Sequence, residues 1–467
     1  MSQSHSSSRR TFLAGAALAP AVAGSSNQGA ASSSRLPNIL YIHSHDSGRY
    51  LQPYGQPVPT PNLQRLANEG LLFRKAFSAA PTCSPSRASL LTGQYAHQNG
   101  MLGLAHRGFS LNDYHQHVLY ALRTAGYRSI LAGLQHIALK PETIGYDEVF
   151  HPQTTHAEFV ATGAAAFLDK RPAGPFFLDV GFFETHREYP RASFDENPRN
   201  IQPPRPIPDT PETREDMACY HASARLLDDG VGVVLAALER NGFAENTLVI
   251  STTDHGISFP RMKCNLTDDG WGVSLIMRGP GGFSGGKVCD AMVTHLDIFP
   301  TLCELAGVAK PAWLEGKSLM PLVRGETAEI HDEVFAEVNY HASYEPKRAA
   351  RTRRWKYIRH FGGRKTPVLP NCDDSPSKSL WLANGWKDAV VPEESLYDLV
   401  FDPGEEHDLA RDPQHAPTLT EMRQRLERWM KATNDPLLQG PVKAPPGARV
   451  NNPDGISPQE PTIPAQA

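Results

Sequence analysis

The sequence predicts an α/β protein: a large domain with a mostly parallel sheet flanked by helices, plus a smaller C-terminal α+β domain. Three observations carry this prediction. Short apolar runs alternate with amphipathic stretches of helical length through most of the chain. Four of these runs are followed within a few residues by a His. Beyond residue 330 the texture changes to strand-like alternation and one amphipathic helix. The 467 residues, 40% of them hydrophobic, suffice to bury a large core and a smaller attached one, which excludes a disordered chain. Charge is nearly balanced, with 46 Lys and Arg against 50 Asp and Glu. No basic field is therefore available for nucleic acid or an anionic membrane, and a small or saccharide-like substrate is the expected partner.

Taken in order, Ser8-Arg9-Arg10-Thr11-Phe12-Leu13 precedes a small-residue apolar run and a Ser-rich linker. This reads as a twin-arginine export signal, against the alternative of a tail with a chance Arg pair. The run is too short to span a bilayer, so the mature protein is expected to be soluble, periplasmic or secreted, with no membrane partner. The first strand is the apolar run 37–42, which delivers His43-Ser44-His45-Asp46-Ser47-Gly48 at its carboxyl end. Runs 129–132, 175–182 and 247–252 repeat that grammar, ahead of His136, His186 and His255. Helical patterns at 61–70, 157–170 and 213–241 lie between them. Strands alternating with helices give a parallel sheet whose ligands bind beyond the strands' carboxyl ends, so the four His-bearing ends point at one crevice.

A further strand is expected at 273–277 and a closing helix at 295–306. Strands at 333–338 and 354–358 and a helix at 417–432 form the smaller domain. From Pro441 the chain is rich in Pro, Gly and Asn and is expected to be disordered or draped on the surface. The resulting division is 1–35 leader and linker, 36–330 large domain, 331–437 small domain and 438–467 tail. No internal repeat is visible. If Cys83 is reserved for chemistry, five of the six cysteines remain, so at most two disulfides can form and at least one thiol stays free.

The most informative string is Cys83-Ser84-Pro85-Ser86-Arg87-Ala88-Ser89-Leu90-Leu91-Thr92-Gly93. Pro85 suits the first turn of a helix, which puts Cys83 at the positive N-terminal end with Arg87 one turn on. The alternative is an ordinary buried thiol at a helix start. The string resembles the signature C-x-P-S-R followed by L-x-T-G of the type I formylglycine-dependent sulfatases, within the alkaline phosphatase-like superfamily. The resemblance runs from Pro37 to about Pro436 and points to the heparan N-sulfatase (sulfamidase) branch. Its marks are His97-Gln98-Asn99-Gly100-Met101, Pro141-Glu142-Thr143, Gly256-Ile257-Ser258-Phe259-Pro260, Leu396-Tyr397-Asp398-Leu399 and Asn434-Asp435-Pro436.

The resemblance implies an alkaline phosphatase-like fold for the large domain and formylglycine made from Cys83 by a maturation enzyme. It also implies a divalent metal, Ca in most of the family, held by an early Asp-Asp and a late Asp-Asn pair. This sequence offers His45-Asp46 and Asp254-His255 instead. With Cys83 these are the expected metal residues, and imidazole nitrogen favours Zn, Mn or Fe over Ca. For His45, ligation stands beside an outer-sphere or merely packed role. By the same resemblance Arg87 holds the formylglycine hydrate, His136 deprotonates it, and His186 and Lys263 contact the sulfate and its leaving group. Leu134 stands where many sulfatases have Lys, so one positive contact is absent. His97 is a possible pocket residue, and His43 is expected to face away from His45.

The implied reaction is hydrolysis of a sulfate ester or sulfamate on a sulfated saccharide, with His186 protonating the departing atom. A phosphonate or phosphate diester hydrolase of the same superfamily is the enzymatic rival, because its late pair is also Asp-His. A noncatalytic sulfated-glycan binding protein is the rival from another class. Pocket walls are expected from loops 189–211 and 361–387.

Overall fold

The computed structural model describes residues 36–465, so the stretch containing Arg9-Arg10 lies outside the described residues. From Leu36 onward the chain forms one compact unit around two large sheets and a two-stranded third. The strands are β1 Asn38–His43, β2 Leu71–Phe77, β3 Arg128–Gly133, β4 Glu148–Phe150, β5 Phe176–Gly181, β6 Thr247–Thr252, β7 Gly272–Val273, β8 Leu275–Arg278 and β9 Lys287–Thr294 in the large sheet. Their order is β4-β3-β5-β1-β6-β8-β2-β7, with β9 on β2. From β4 to β6 all neighbours are parallel, and β8 then runs antiparallel to β6.

Every residue of β1, β5 and β6 is buried, as an apolar run covered on both faces requires. The pleat splits β1 between two cores. Ile39 and Tyr41 pack with helix α2, Cys83–Thr92, and the helix Ile298–Ala306, whereas Leu40 and Ile42 pack with helix α1, Pro61–Glu69, and the helices Ala157–Asp169 and Pro211–Arg240. Burying each such side chain contributes about 1.5–3 kcal/mol, so the central strands are a rigid platform for the residues at their carboxyl ends.

The expected strand at 273–277 is two pieces, β7 and β8. Between them the Ser274 N–H donates to the Gly48 carbonyl at 2.9 Å, outside the strand ladder. Strands β2 and β9 carry no clean sequence signal, because Arg74 in the middle of β2 and Lys287 and Val288 at the start of β9 face solvent.

The second sheet is antiparallel, β10 Val334–Tyr340, β11 Tyr344–Arg351, β12 Trp355–His360 and β13 Glu394–Asp398, covered by the helix Ala416–Ala432 through Leu419, Met422, Leu426, Trp429 and Met430. Phe77, Trp271 and Met292 of the large-sheet region pack directly on Val334, Ala336 and Ile358 of the second. The tail is draped rather than disordered. Val442, Ala444, Ala448 and Val450 enter the core, and β14 Arg449–Asn451 pairs with β15 Thr462–Pro464. Among the described residues no helix is long and apolar enough to cross a membrane, and none of the six cysteines is bridged.

Candidate active site

The parallel strands β3, β5, β1 and β6 are adjacent, so their carboxyl ends deliver His136, His186, His45-Asp46 and Asp254-His255 to one place. Helix α2 adds Cys83 at its first residue and Arg87 one turn later. The side-chain donors of His45, Asp46, Cys83, Asp254 and His255 all lie within 4.8 Å of one another, and all five residues are buried. The backbone is bent to achieve this: Asp46 and His136 have φ of 50° and 55°, a left-handed conformation that costs a non-Gly residue about 1–3 kcal/mol.

Hydrogen bonds decide which nitrogen of each imidazole is free. His255 Nδ1–H donates to the Gly256 carbonyl at 3.0 Å, which leaves the Nε2 lone pair toward the cluster, 3.3 Å from Cys83 Sγ and from Asp46 Oδ1. His45 Nδ1 lies 2.7 Å from Asp46 Oδ1 and 3.1 Å from Asp254 Oδ2. Burial lowers His45 to about 4 against the pull of Asp254 and Asp46, so its ring is neutral at pH 7. Burial alone would raise Asp46, but Lys263, His45 and His255 hold it well below the usual carboxylate range. His255, His45 and Arg87 do the same for Asp254 against its burial. Two ionised carboxylates, two imidazoles with nitrogens turned inward and a sulfur position fit a divalent cation.

Arg87 is held from several sides. It donates through Nη2 to the Ser44 carbonyl and to Asp254 Oδ2, both at 2.9 Å, and through Nη1 to His43 Nδ1. His43 donates from Nε2 to Asp179 at 2.9 Å. The expectation that His43 faces away from His45 is therefore corrected. Strand residues two apart share a face, and that face meets α2. Lys263 Nζ sits 2.8 Å from Asp46 and 2.8 Å from Asp373, and these acids, against burial, keep it a permanent cation. Burial pushes the Cys83 thiol well above its usual range; Lys263 opposes this, and Asp46 and Asp254 reinforce it.

His186 donates from Nδ1 to the Arg187 carbonyl, leaving Nε2 3.5 Å from Lys263 Nζ. His136 Nε2 lies 3.1 Å from Nδ1 of exposed His106, whose ring stacks on it, while His136 Nδ1 is buried without a partner. Burial, then His45, Arg87 and His106, lower His136 well below the ordinary imidazole value, so it starts as a free base.

Three residues here escaped sequence reasoning: His106, Asp373 and His341. Asp373 arrives from the loop ahead of the helix Pro376–Ala383, which Ser377 ties to Asp216 and thus to Arg187. His341 is buried in the turn between β10 and β11, its Nδ1 without a partner. The one sequence signal was the acidic pair Asp373-Asp374 before a Ser-Pro helix start. His97 is not a pocket residue: it pairs with Glu337 at 2.8 Å and packs on Trp429 in the contact between the sheets.

The chain is similar to known proteins over most of its length. The family described as Sulfatase matches residues 37–308, and the one described as N-sulphoglucosamine sulphohydrolase, C-terminal, matches residues 261–379. The chain is 30% identical to human N-sulphoglucosamine sulphohydrolase, covering 86% of this chain and 92% of the relative. It is 29% identical to an ulvan-active sulfatase of Formosa agariphila, covering 89% and 85%. A solved structure in complex with D-glucosamine-2-N,6-O-disulfate superposes with a TM-score of 0.69 at 19% identity, covering 86% of this chain and 99% of that one, and shares the fold.

Proposed function

Because the chain belongs to the sulfatase family and is a sulfuric ester or sulfamate hydrolase, we propose that it removes the sulfuryl group from a sulfated glucosamine-type saccharide, N-sulfoglucosamine first among them. The observation that carries this reading is the convergence of Cys83, at the N-terminus of α2, with His45, Asp46, Asp254 and His255 at the ends of β1 and β6.

In this reading Cys83 is converted by a maturation enzyme to formylglycine, whose hydrate supplies the attacking oxygen. A divalent cation, Zn or Mn rather than the Ca usual in the family, would offset charge on the sulfuryl oxygens. Arg87 is fixed by Ser44, Asp254 and His43, so its charge needs no reorganisation when negative charge develops beside it. His136 takes the proton of the attacking hydroxyl at Nδ1, the atom left without a partner, and His106 on its Nε2 fixes the tautomer. Lys263, supported by Asp373, meets a sulfuryl oxygen on the leaving-group side, and His186, entering as the imidazolium with its Nδ1–H on the Arg187 carbonyl, gives the proton on Nε2 to the departing nitrogen or oxygen and ends neutral. As the new O–S bond forms the S–N or S–O bond breaks and frees the amine or alcohol; the second hydroxyl of the hydrate then collapses to the aldehyde, breaking the C–O bond and expelling sulfate, and water rehydrates the aldehyde.

Twin-arginine export to the periplasm remains part of the proposal on the strength of Arg9-Arg10. The test is the mass of the tryptic peptide containing Cys83 after co-expression with a maturation enzyme, with metal analysis and turnover of N-sulfoglucosamine. An aldehyde, bound Zn or Mn and released sulfate are expected. An unmodified thiol in active protein overturns the formylglycine mechanism.

A further inference from the structure

A cavity of about 380 Å³ has Lys263 and Cys264 in its wall, beside the lysine that Asp46 and Asp373 hold in the active site, and falls within the roughly 300–1,000 Å³ of small-molecule sites. Its far wall comes from the region of the second sheet, where Trp381 and Trp386 meet edge to face with ring centroids 5.7 Å apart. Trp381 Nε1 is buried without a hydrogen-bond partner. Arg261, exposed at the rim, lies 5.9 Å from the Trp381 ring and makes no ion pair among the described residues. Of the other Lys and Arg residues lining the cavity, Lys347 is already engaged by Glu345 at 2.9 Å and the Cys264 carbonyl at 2.9 Å, and Lys263 by Asp46 and Asp373.

We infer that this cavity is a second saccharide subsite, which holds the sugar unit next to the one bearing the sulfuryl group. Two indoles set at an angle offer flat apolar surfaces to the C–H faces of a pyranose, with an unspent N–H donor at their edge. Among the described residues Arg261 is the cation of the rim left without an acid, and its planar fork suits a carboxylate or sulfate on that second unit. The catalytic site therefore reads the terminal sugar and the cavity reads its anionic neighbour. The inference rests on the proposed saccharide substrate, and its test separates the two.

The test compares the metal-loaded, matured full chain with Arg261→Ala and Trp386→Ala. The substrates are 4-nitrocatechol sulfate, N-sulfoglucosamine and a disaccharide with N-sulfoglucosamine joined to a uronic acid. Wild type is expected to show a lower KM for the disaccharide than for the monosaccharide. Each variant is expected to raise the disaccharide KM about tenfold and to leave both smaller substrates unchanged. Equal KM values in wild type, or a matching loss on all three substrates, overturn the subsite. A second arm, independent of turnover, measures calorimetric binding of the desulfated disaccharide to Cys83→Ala protein. Binding that disappears with Trp386→Ala supports the subsite even if no sulfated sugar is turned over, a result that would remove only the proposed substrate. Binding unaffected by either variant overturns the subsite whatever the turnover.

Discussion

Two buried clusters in this molecule use the same residue types for opposite ends. In the active site Asp46 and Asp254 share His45, His255, Lys263 and Arg87, while Arg87 Nε and His136 Nδ1 have no partner. In the contact between the sheets Glu337, Asp435, Arg348 and His97 are paired throughout. Glu337 takes His97 at 2.8 Å and Asn339 at 2.8 Å, and Arg348 reaches Asp435 Oδ1 at 3.0 Å, Asn339 Oδ1 at 2.9 Å and the Val338 carbonyl at 3.1 Å. Burial alone does not distinguish a catalytic cluster from a structural one; unfilled hydrogen-bonding capacity does. The first cluster has lone pairs to offer a cation and a substrate, and the second has spent them on the fold.

The largest effect that breaks the symmetry is Cys83→Ala. Turnover is expected to fall roughly a thousandfold or more, because the proposed mechanism loses its nucleophile while the surrounding charges stay. The melting temperature should hardly move, since a small buried group replaces another and no charge loses its partner. Activity assay beside thermal melting checks both halves. The structural cluster should answer in reverse. Asp435→Ala leaves the fully buried Arg348 short of its main partner, a change expected to cost about 3–5 kcal/mol. Chemical denaturation reads that loss, and kcat per folded molecule should stay the same.

The contrast also explains how much was legible in the sequence. The central strands β1, β5 and β6 were readable because continuous apolar runs admit few alternatives, and the strand-end histidines followed from them. The signature string placed Cys83 and Arg87 on a helix start, where α2 begins. Strand β11 was not readable. Its Lys347, Arg348 and Arg351 look like a solvated surface, yet all three are buried, Arg348 and Arg351 against acids far away in the chain, Asp435 and Asp268. For the same reason Asp373 and His341 stayed hidden, since nothing local ties the second sheet's loops to the strand ends. His97 was misplaced because a polar His after the signature helix looks the same whether a substrate or Glu337 waits opposite. The tail's Pro and Gly content left disorder and draping both open, and the packing of Val442, Ala444, Ala448 and Val450 into the core decides for draping.

Metal selectivity sharpens the comparison at a middle scale. Restoring an all-oxygen donor set with His45→Asp and His255→Asn should move the preference from Zn or Mn toward Ca by about tenfold or more, as hard cations prefer oxygen ligands. Competition binding on purified apo protein reads the ratio. A preference for Ca already present in the unaltered protein would show that the imidazoles pack beside the metal without ligating it.

The smallest effect is a pH dependence confined to the structural cluster. Burial would raise Glu337, but His97 and Arg348 bring it down to about 2. A depressed carboxylate contributes stability that is fully present above its unfolded value of about 4.5 and fades as pH falls toward 2. His97 behaves in the opposite sense. Glu337 raises it above 6.5 despite its burial, so its share is complete below that value and fades as pH climbs past it. The stability gap between wild type and Glu337→Gln should therefore be widest between about pH 4.5 and 6.5 and narrow on both sides. Melting curves of the two proteins across pH 3 to 8 test the shape, and a gap that stays flat through that range would mean that the pair is held by packing and not by charge.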